Sequence, residues 1–321
     1  MPEHILLIGA GNIGSRHLQG LARVKKSLEI TVVDTFKESL RVAEQRFQQI
    51  PNHTKHKVSF LQKVEGGDYD IAIIATSSDI RRKVTEDLLK KSKIKNIIFE
   101  KLLFQKKSDY GFIDKLLKKH SIRAWVNCSM RVTPFYKNLK QKFEGKKIVY
   151  LLTGTRFGVA TQAIHFIDHM AYLLNSYDFE VDTFLLDSQI LDSKRKGFKE
   201  LTGTLKVNFK NGSVGVFSDF KEGDAPIVAE IYSDSIKAVA NETTRETFVS
   251  ESPKWILKNS KDGLLFQSDM TNKVVEDILS KATCGLPTYQ ESQVIHIKLL
   301  DSLLKFINKN FKKKYDFYPF T

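Results

Sequence analysis

The sequence predicts an α/β protein whose grammar changes once, from a doubly wound parallel sheet to a mostly antiparallel α+β domain. Three observations carry this. The first apolar run, Ile5 to Ile8, opens into three spaced glycines, Gly9-x-Gly11-x-x-Gly14. From there to Asn127, short apolar runs alternate with amphipathic helical patterns, the order that builds parallel strands joined by crossover helices. Beyond Asn127, β signals gather, with Asn211-Gly212 set between two apolar runs as a strong hairpin signal.

Ile5 to Ile8 reads as a strand buried on both faces, and a helical pattern follows the bend through Ile13, His17, Leu18, Leu21 and Ala22. Gly9 permits the tight turn out of the strand. Gly11 has no side chain, so a pyrophosphate can approach the backbone, and Gly14 lets helix and strand pack closely. The N–H groups around Asn12 and Ile13 face the phosphates from the helix start. A glycine bend alone arises for many reasons. Here a second strand, Ile30 to Val33, ends in Asp34, twenty residues after Gly14, where a carboxylate accepts hydrogen bonds from the adenosine ribose. The first domain, residues 1–127, therefore reads as a Rossmann dinucleotide-binding domain. Asp34 would repel a 2′-phosphate and no arginine follows it, although Lys37 is near, so NAD is favoured over NADP.

A helix over 37–48 buries Leu40, Ala43 and Phe47, and Val58 to Phe60 forms a short strand. The strand Tyr69 to Thr76 leads through cap residues Thr76 to Asp79 into a helix over 80–90. Ile94 to Phe99 ends at Glu100-Lys101, and after a helix over 108–119 the strand Arg123 to Val126 ends at Asn127. Ligands of such sheets collect at the carboxyl ends of the strands, where Thr76, Glu100, Lys101 and Asn127 all fall.

Residues 128–321 read as an α+β substrate and oligomerisation domain with helices on one face of its sheet. Helices are expected over 134–143 and 162–174, and strands over 148–152, 204–209 and 214–217. A second hairpin joins 227–232 to 236–240 across Ser233-Asp234-Ser235. Helices over 270–281 and 289–308 close the chain, the last packing back on the first domain, and the basic-aromatic tail 312–321 reads as an exposed extension.

The chain of 321 residues carries a formal charge of +14, but its lysines are spread over the surface helices without interleaved aromatics, which argues against nucleic acid. The charge suits attraction of anionic cofactors and substrates instead. No apolar run is long enough to cross a bilayer, and the N-terminus enters a strand at once, leaving no room for a signal peptide. With only Cys128 and Cys284, no framework of disulfides or cysteine ligands is expected, nor any histidine–carboxylate metal set, and a reducing cytoplasm is the expected location.

The run Gly9 to His17, Glu100-Lys101 at a strand end, Val126 with Arg131 and Pro134, His165-x-x-Asp168 and Tyr289-Gln290-Glu291-Ser292 together resemble the glucose–fructose oxidoreductase/inositol dehydrogenase (Gfo/Idh/MocA) family. That resemblance implies a Rossmann domain, a C-terminal domain with an open sheet, a site in the cleft between them and NAD(P)-dependent redox chemistry on a sugar or polyol. It also implies a homo-oligomer, dimer or tetramer, joined through the open sheets. Leu102 stands where the family commonly has proline, leaving the backbone at Lys101 less fixed. Thr161 stands where many members carry an aspartate, so the proton relay must differ or be simpler. Members resembling this variant often serve surface-polysaccharide biosynthesis, which points to an activated or modified sugar.

Lys101, at the strand edge where the nicotinamide should lie, suits either a base poised near neutrality or a cation stabilising an alkoxide. His165 and Asp168 share a helical face. His165 fits proton transfer, although Ile164 and Phe166 beside it also suit a packed core, and Asp168 fits either an orienting or a structural acceptor. Thr161 and Gln162 are candidate substrate contacts. Arg131 suits an anionic substrate group or an interdomain ion pair. The expected activity is hydride transfer between nicotinamide and a CH–OH carbon of a sugar or nucleotide-sugar; the alternatives are an inactive NAD(P)-binding sensor or a reductase of a non-sugar substrate.

Overall fold

The computed structural model describes residues 2–51 and 53–321. It divides into two compact units, Met1–Val132 with Leu265–Gln290, and Thr133–Leu264 with Glu291–Thr321.

The first unit is built on β1 (Glu3–Ile8), α1 (Asn12–Leu21), β2 (Leu28–Val33), α2 (Lys37–Gln48), β3 (Lys57–Leu61), β4 (Gly67–Ile74), α3 (Ser78–Lys91), β5 (Ser92–Phe99), α4 (Lys107–Lys119) and β6 (Arg123–Val126). Its six strands lie in the order β3-β2-β1-β4-β5-β6, all parallel, with Ile5 opposite both Ile30 and Ile71. The order reverses direction at β1, which places the glycine bend at the point where such sheets open a crevice. Ile5, Leu7, Ile30 and Val32 meet Leu18 and Leu21 of α1 and Ala43 and Phe47 of α2 in one core.

The second unit begins with α5 (Pro134–Phe143), β7 (Val149–Thr155), α6 (Val159–Leu174), β8 (Phe179–Leu186), β9 (Leu191–Asp192) and β10 (Lys199–Glu200). It continues with β11 (Gly203–Phe209), β12 (Val214–Phe220), β13 (Val228–Tyr232), β14 (Ile236–Asn241), β15 (Thr247–Glu251) and β16 (Lys258–Asn259). Eight strands run β16-β15-β14-β13-β7-β12-β11-β8, with β7 and β12 parallel and every other neighbouring pair antiparallel. Alternate residues of β11 to β14 are buried and the others are more exposed, so helices cover one face. α6 is buried nearly all round: Phe166 packs with Phe217 of β12 and Tyr150 of β7. The hairpins at Asn211-Gly212 and 233–235 form as expected.

The chain closes with α7 (Thr271–Lys281) and α8 (Tyr289–Asn310). Two expectations change here. The sequence boundary after Asn127 left 265–290 with the second domain, whereas contacts join that segment to the first unit. Val274, Val275 and Ile278 of α7 enter the core of the first unit, and a Cβ on Gly20 of α1 would lie 2.6 Å from Thr271 Cβ. An apolar helical face shows that it needs a partner, not which one. Beyond Gln290, α8 groups with the second unit. The tail is the other correction: Tyr318 and Phe320 are 2% and 1% exposed, and Pro319 accepts a hydrogen bond from Lys199 N at 2.7 Å. Three basic residues suggested solvent, but the apolar side chains after them find cover.

Candidate functional site

At the carboxyl edge of the parallel sheet, Asp34, Glu100 and Asn127 each follow directly on a strand, and Thr76 stands two residues past β4. Gly9 turns at φ +94°, and a Cβ there would strike the Ala75 backbone at 2.9 Å. A Cβ on Gly14 would fall 1.8 Å from Gly9 O, so helix and bend approach as closely as backbone allows. A Cβ on Gly11 would meet nothing within 4 Å: open space lies before the start of α1, at Asn12 and Ile13. Asp34, at the end of β2, accepts from Ala10 N at 2.7 Å and Phe36 N at 2.9 Å, which fixes the carboxylate beside the bend. Thr76 follows β4, and its buried Oγ1 has no hydrogen-bond partner among the described residues.

Glu100 and Asn127 lie side by side, because Asn127 N bonds Phe99 O at 2.8 Å and Asn127 Nδ2 donates to Glu100 Oε1 at 2.5 Å. His17 Nε2 also reaches Glu100 Oε1, at 2.9 Å, and its Nδ1 lies 2.9 Å from Thr271 Oγ1. An ionised carboxylate only accepts, so Nε2 carries a proton. Burial pushes the Glu100 carboxyl up, but the hydrogen bond and charge of His17, then Asn127 and the Lys101 charge, bring it below its ordinary value. Lys101 is half-buried just beyond.

The segment after Lys101 is held more firmly than the loss of proline implied. The Lys101–Leu102 peptide is cis, and Leu102, Leu103 and Phe104 are all buried. The guanidinium of Arg81, 1% exposed on α3, donates to Leu102 O, to Leu103 O at 2.9 Å and to Thr76 O. One rigid planar fork thus ties the Thr76 turn to the chain leaving Lys101. Arg131 is also buried, in a short turn after β6.

In the second unit, α6 carries Thr161, Gln162, His165 and Asp168 within its first three turns. His165 and Gln162 are half-buried, Thr161 is 8% exposed and Asp168 1%. The helix starts at Gly158 with φ +89°, under two carboxylates. Asp219 of β12 accepts from the amides of Phe157, Gly158 and Val159, and Glu200 of β10 accepts from Ala160 N at 2.7 Å. Thr161 Oγ1 donates to Glu200 Oε2 at 2.6 Å. Burial raises both carboxyls above their ordinary values. For Glu200 the Thr161 hydroxyl and two amides oppose this, while the Asp219 charge adds to it. For Asp219 the amides of Gly158, Phe157, Val159 and Arg156 oppose it. His169, by contrast, is tied to Tyr150 Oη and Tyr136 O inside the core.

The sequence missed His17, Arg81, Thr271 and Glu200. The helical pattern counted His17 on the inner face of its helix without giving it a polar partner, and Arg81 lies at a position that no pattern marked. Glu200 lies in a polar, lysine-rich stretch and meets its partner 39 residues away, a pairing no local spacing signals.

Residues 4–128 match the family model GFO_IDH_MocA, described as an oxidoreductase family with an NAD-binding Rossmann fold. A sequence comparison with the curated proteins finds no match. Solved structures share the whole fold. An oxidoreductase from Agrobacterium radiobacter, in complex with NAD+, L-tartaric acid and magnesium, superposes with TM-score 0.71 at 15% identity, covering 93% of this chain and 94% of its own. UDP-N-acetylglucosamine 3-dehydrogenase from Acidithiobacillus ferrooxidans gives 0.70 at 12%, covering 95% and 97%. Levoglucosan dehydrogenase, in complex with NADH and levoglucosan, gives 0.70 at 15%, covering 97% and 98%. The match places residues 4–128 with the NAD-binding Rossmann domain of that oxidoreductase family, and the solved structures show the same fold over nearly the whole chain.

The matched stretch has the parts that NAD requires: open space at Gly11, amides at the start of α1, a fixed carboxylate at Asp34 and an unmatched hydroxyl at Thr76. No group of three or more histidine, cysteine or carboxylate residues able to hold a metal occurs among the described residues. No helix among them is long and apolar enough to cross a membrane.

Proposed function

We propose that this protein is a Gfo/Idh/MocA-type oxidoreductase that transfers a hydride between NAD and a CH–OH carbon of a sugar, nucleotide-sugar or related polyol, in carbohydrate or surface-polysaccharide metabolism. The observation that carries this is the shared strand edge: the glycine bend, Asp34, Thr76 and the Glu100-Lys101 pair all end strands of one parallel sheet. NAD, when bound, supplies the hydride acceptor or donor. Gly11, Asn12, Ile13 and Gly14 present backbone to its diphosphate, and Asp34 accepts from its ribose and disfavours NADP. Glu100 and Asn127 set the strand end from which Lys101 projects. The Lys101 ammonium stabilises developing alkoxide or passes the proton, and His165 is the proton-handling side chain of the second unit, with Asp168 orienting it. Thr161, Gln162 and Arg131 contact substrate. The sugar dehydrogenases of the same fold support the substrate class.

Lys101→Ala tests this with a panel containing UDP-N-acetylglucosamine, levoglucosan and inositol, followed through NADH absorbance. The variant should fold, bind NADH as the wild type does and lose about 10²- to 10⁴-fold in kcat. Near-normal kcat removes Lys101 from the chemistry. NADH binding without turnover of any substrate points to a sensor, and preference for an apolar carbonyl over polyols points to a non-sugar reductase.

A further inference from the structure

We infer that the hairpin tip at 252–257 is a peripheral membrane contact. Trp255, Ile256 and Leu257 enter the interface of an anionic lipid surface, and the lysines beside them meet its headgroups. The inference goes beyond the oxidoreductase reading and stands or falls without it.

The tip joins β15 to β16, the edge strand of the eight-stranded sheet, and all of 251–259 is exposed. Trp255, Ile256 and Leu257 are 47%, 56% and 51% exposed, three consecutive apolar side chains that the fold leaves in water. The base of the loop is nonetheless fixed: Ser252 N donates to Ser235 O and Trp255 N to Glu251 O, each at 2.9 Å. Trp255 sits at φ +49°, a left-handed conformation that a bulky side chain rarely adopts and that costs free energy. Single exposed apolar residues need no explanation, but a contiguous run held out by hydrogen-bonded backbone marks an interaction surface.

Charge selects the partner. Lys254, Lys258 and Lys261 are the only charged residues of 252–261. The acids that border the tip are already answered, Glu251 by Lys142 and Asp234 by Lys146 at 3.6 Å. A projecting apolar tip ringed by lysines combines two attractions to a bilayer. An indole and two aliphatic chains suit the boundary between headgroups and acyl chains. Ammonium groups suit anionic headgroups, with their stems lying along the apolar surface. The chain's charge of +14 acts in the same direction. Ile256 and Leu257 offer no π face to a base, which favours lipid over single-stranded nucleic acid. Another exposed apolar pair of the same sheet, Phe184-Leu185 in β8, shows the contrast: it lies between Asp182 and Asp187, which an anionic surface repels. A run long enough to span the bilayer is not required, because contact of this kind reaches only the interface.

Trp255 makes the test direct, since the chain's second tryptophan, Trp125, is buried. The full chain is mixed with vesicles of phosphatidylcholine alone, or of phosphatidylcholine with phosphatidylglycerol. Binding is read by co-sedimentation and by tryptophan emission. Binding to the anionic vesicles should be at least about tenfold tighter than to the neutral ones and should weaken with added salt. On binding, the emission should shift to the blue and be quenched by bromine-labelled acyl chains. The triple variant Trp255→Ser/Ile256→Ser/Leu257→Ser and the double variant Lys254→Glu/Lys258→Glu should each lose about tenfold or more in binding. Both should keep Tm within about 2 °C of wild type, and Phe184→Ser should bind as wild type does. Equal binding to both vesicle types, unquenched tryptophan, or a triple variant that binds like wild type overturns the membrane contact. If the triple variant fails to fold, Trp255→Ser alone and the quenching of the wild type decide the matter. A blue shift that grows with protein concentration in lipid-free buffer, with no vesicle binding, assigns the tip to a second copy and likewise overturns it. None of these outcomes touches the oxidoreductase reading, which is read through NADH.

Discussion

Glu100 shows how one buried carboxylate can serve both stability and the site. Its native pKa lies below the ordinary 4.5 because His17, Asn127 and the Lys101 charge outweigh burial. A carboxyl lowered in this way adds stability above its unfolded pKa and loses that contribution as pH falls towards the native value. Glu100→Gln should therefore have a Tm below wild type near neutrality, and the gap should narrow on acidification below about pH 4.5. A Tm gap constant from about pH 7 to about pH 3 would separate Glu100 from acid stability. The sequence placed Glu100, Lys101 and Asn127 correctly at strand ends, because apolar runs have visible limits. It gave no hint that His17 would close on Glu100 with Thr271 behind it, since His17 lies 83 residues from Glu100 and 254 from Thr271.

Elements were legible where pattern and punctuation agree. The bend at Gly9 to Gly14 is the clearest case, and its glycines make separable demands. Gly14→Ala drives a methyl into Gly9 O, and should destabilise the protein by roughly 2 kcal/mol or more, read as a fall in Tm. Gly11→Ala meets open space and should leave Tm within about 2 °C, yet weaken NADH binding at least about tenfold, because the methyl occupies the approach of the diphosphate. Calorimetric titration with NADH checks this, and an unchanged Kd for Gly11→Ala would place the diphosphate elsewhere. Other elements were not read: β8, β9, β10, β15 and β16 escaped the pattern, β8 although it is eight residues long and largely apolar. β9, β10 and β16 are two residues each, too short for any period to register, although β10 carries Glu200.

For the molecule as a whole, the sequence marked the change from parallel to antiparallel sheet but could not assign the late segments to a unit. α7 belongs with the first unit because Val274, Val275 and Ile278 complete its core, and the tail is a packed part of the second. Phe320→Ala should cost about 3 kcal/mol, seen as a lower midpoint in urea unfolding, since a fully covered ring leaves a cavity. A midpoint equal to wild type would return the tail to solvent.

The sequence by itself determined the nucleotide-binding sheet, its glycine bend, the strand-end positions of Asp34, Thr76, Glu100 and Lys101, and the helix bearing His165 and Asp168. These depend on periodicity and on residues close in the chain, where local sterics and hydrogen bonding leave few choices. Tertiary structure alone decided that His17 closes on Glu100, that Arg81 holds the backbone after Lys101, and that Glu200 meets Thr161. Each is a contact between distant segments, and a buried polar group takes whichever partner the folded chain brings within hydrogen-bond reach.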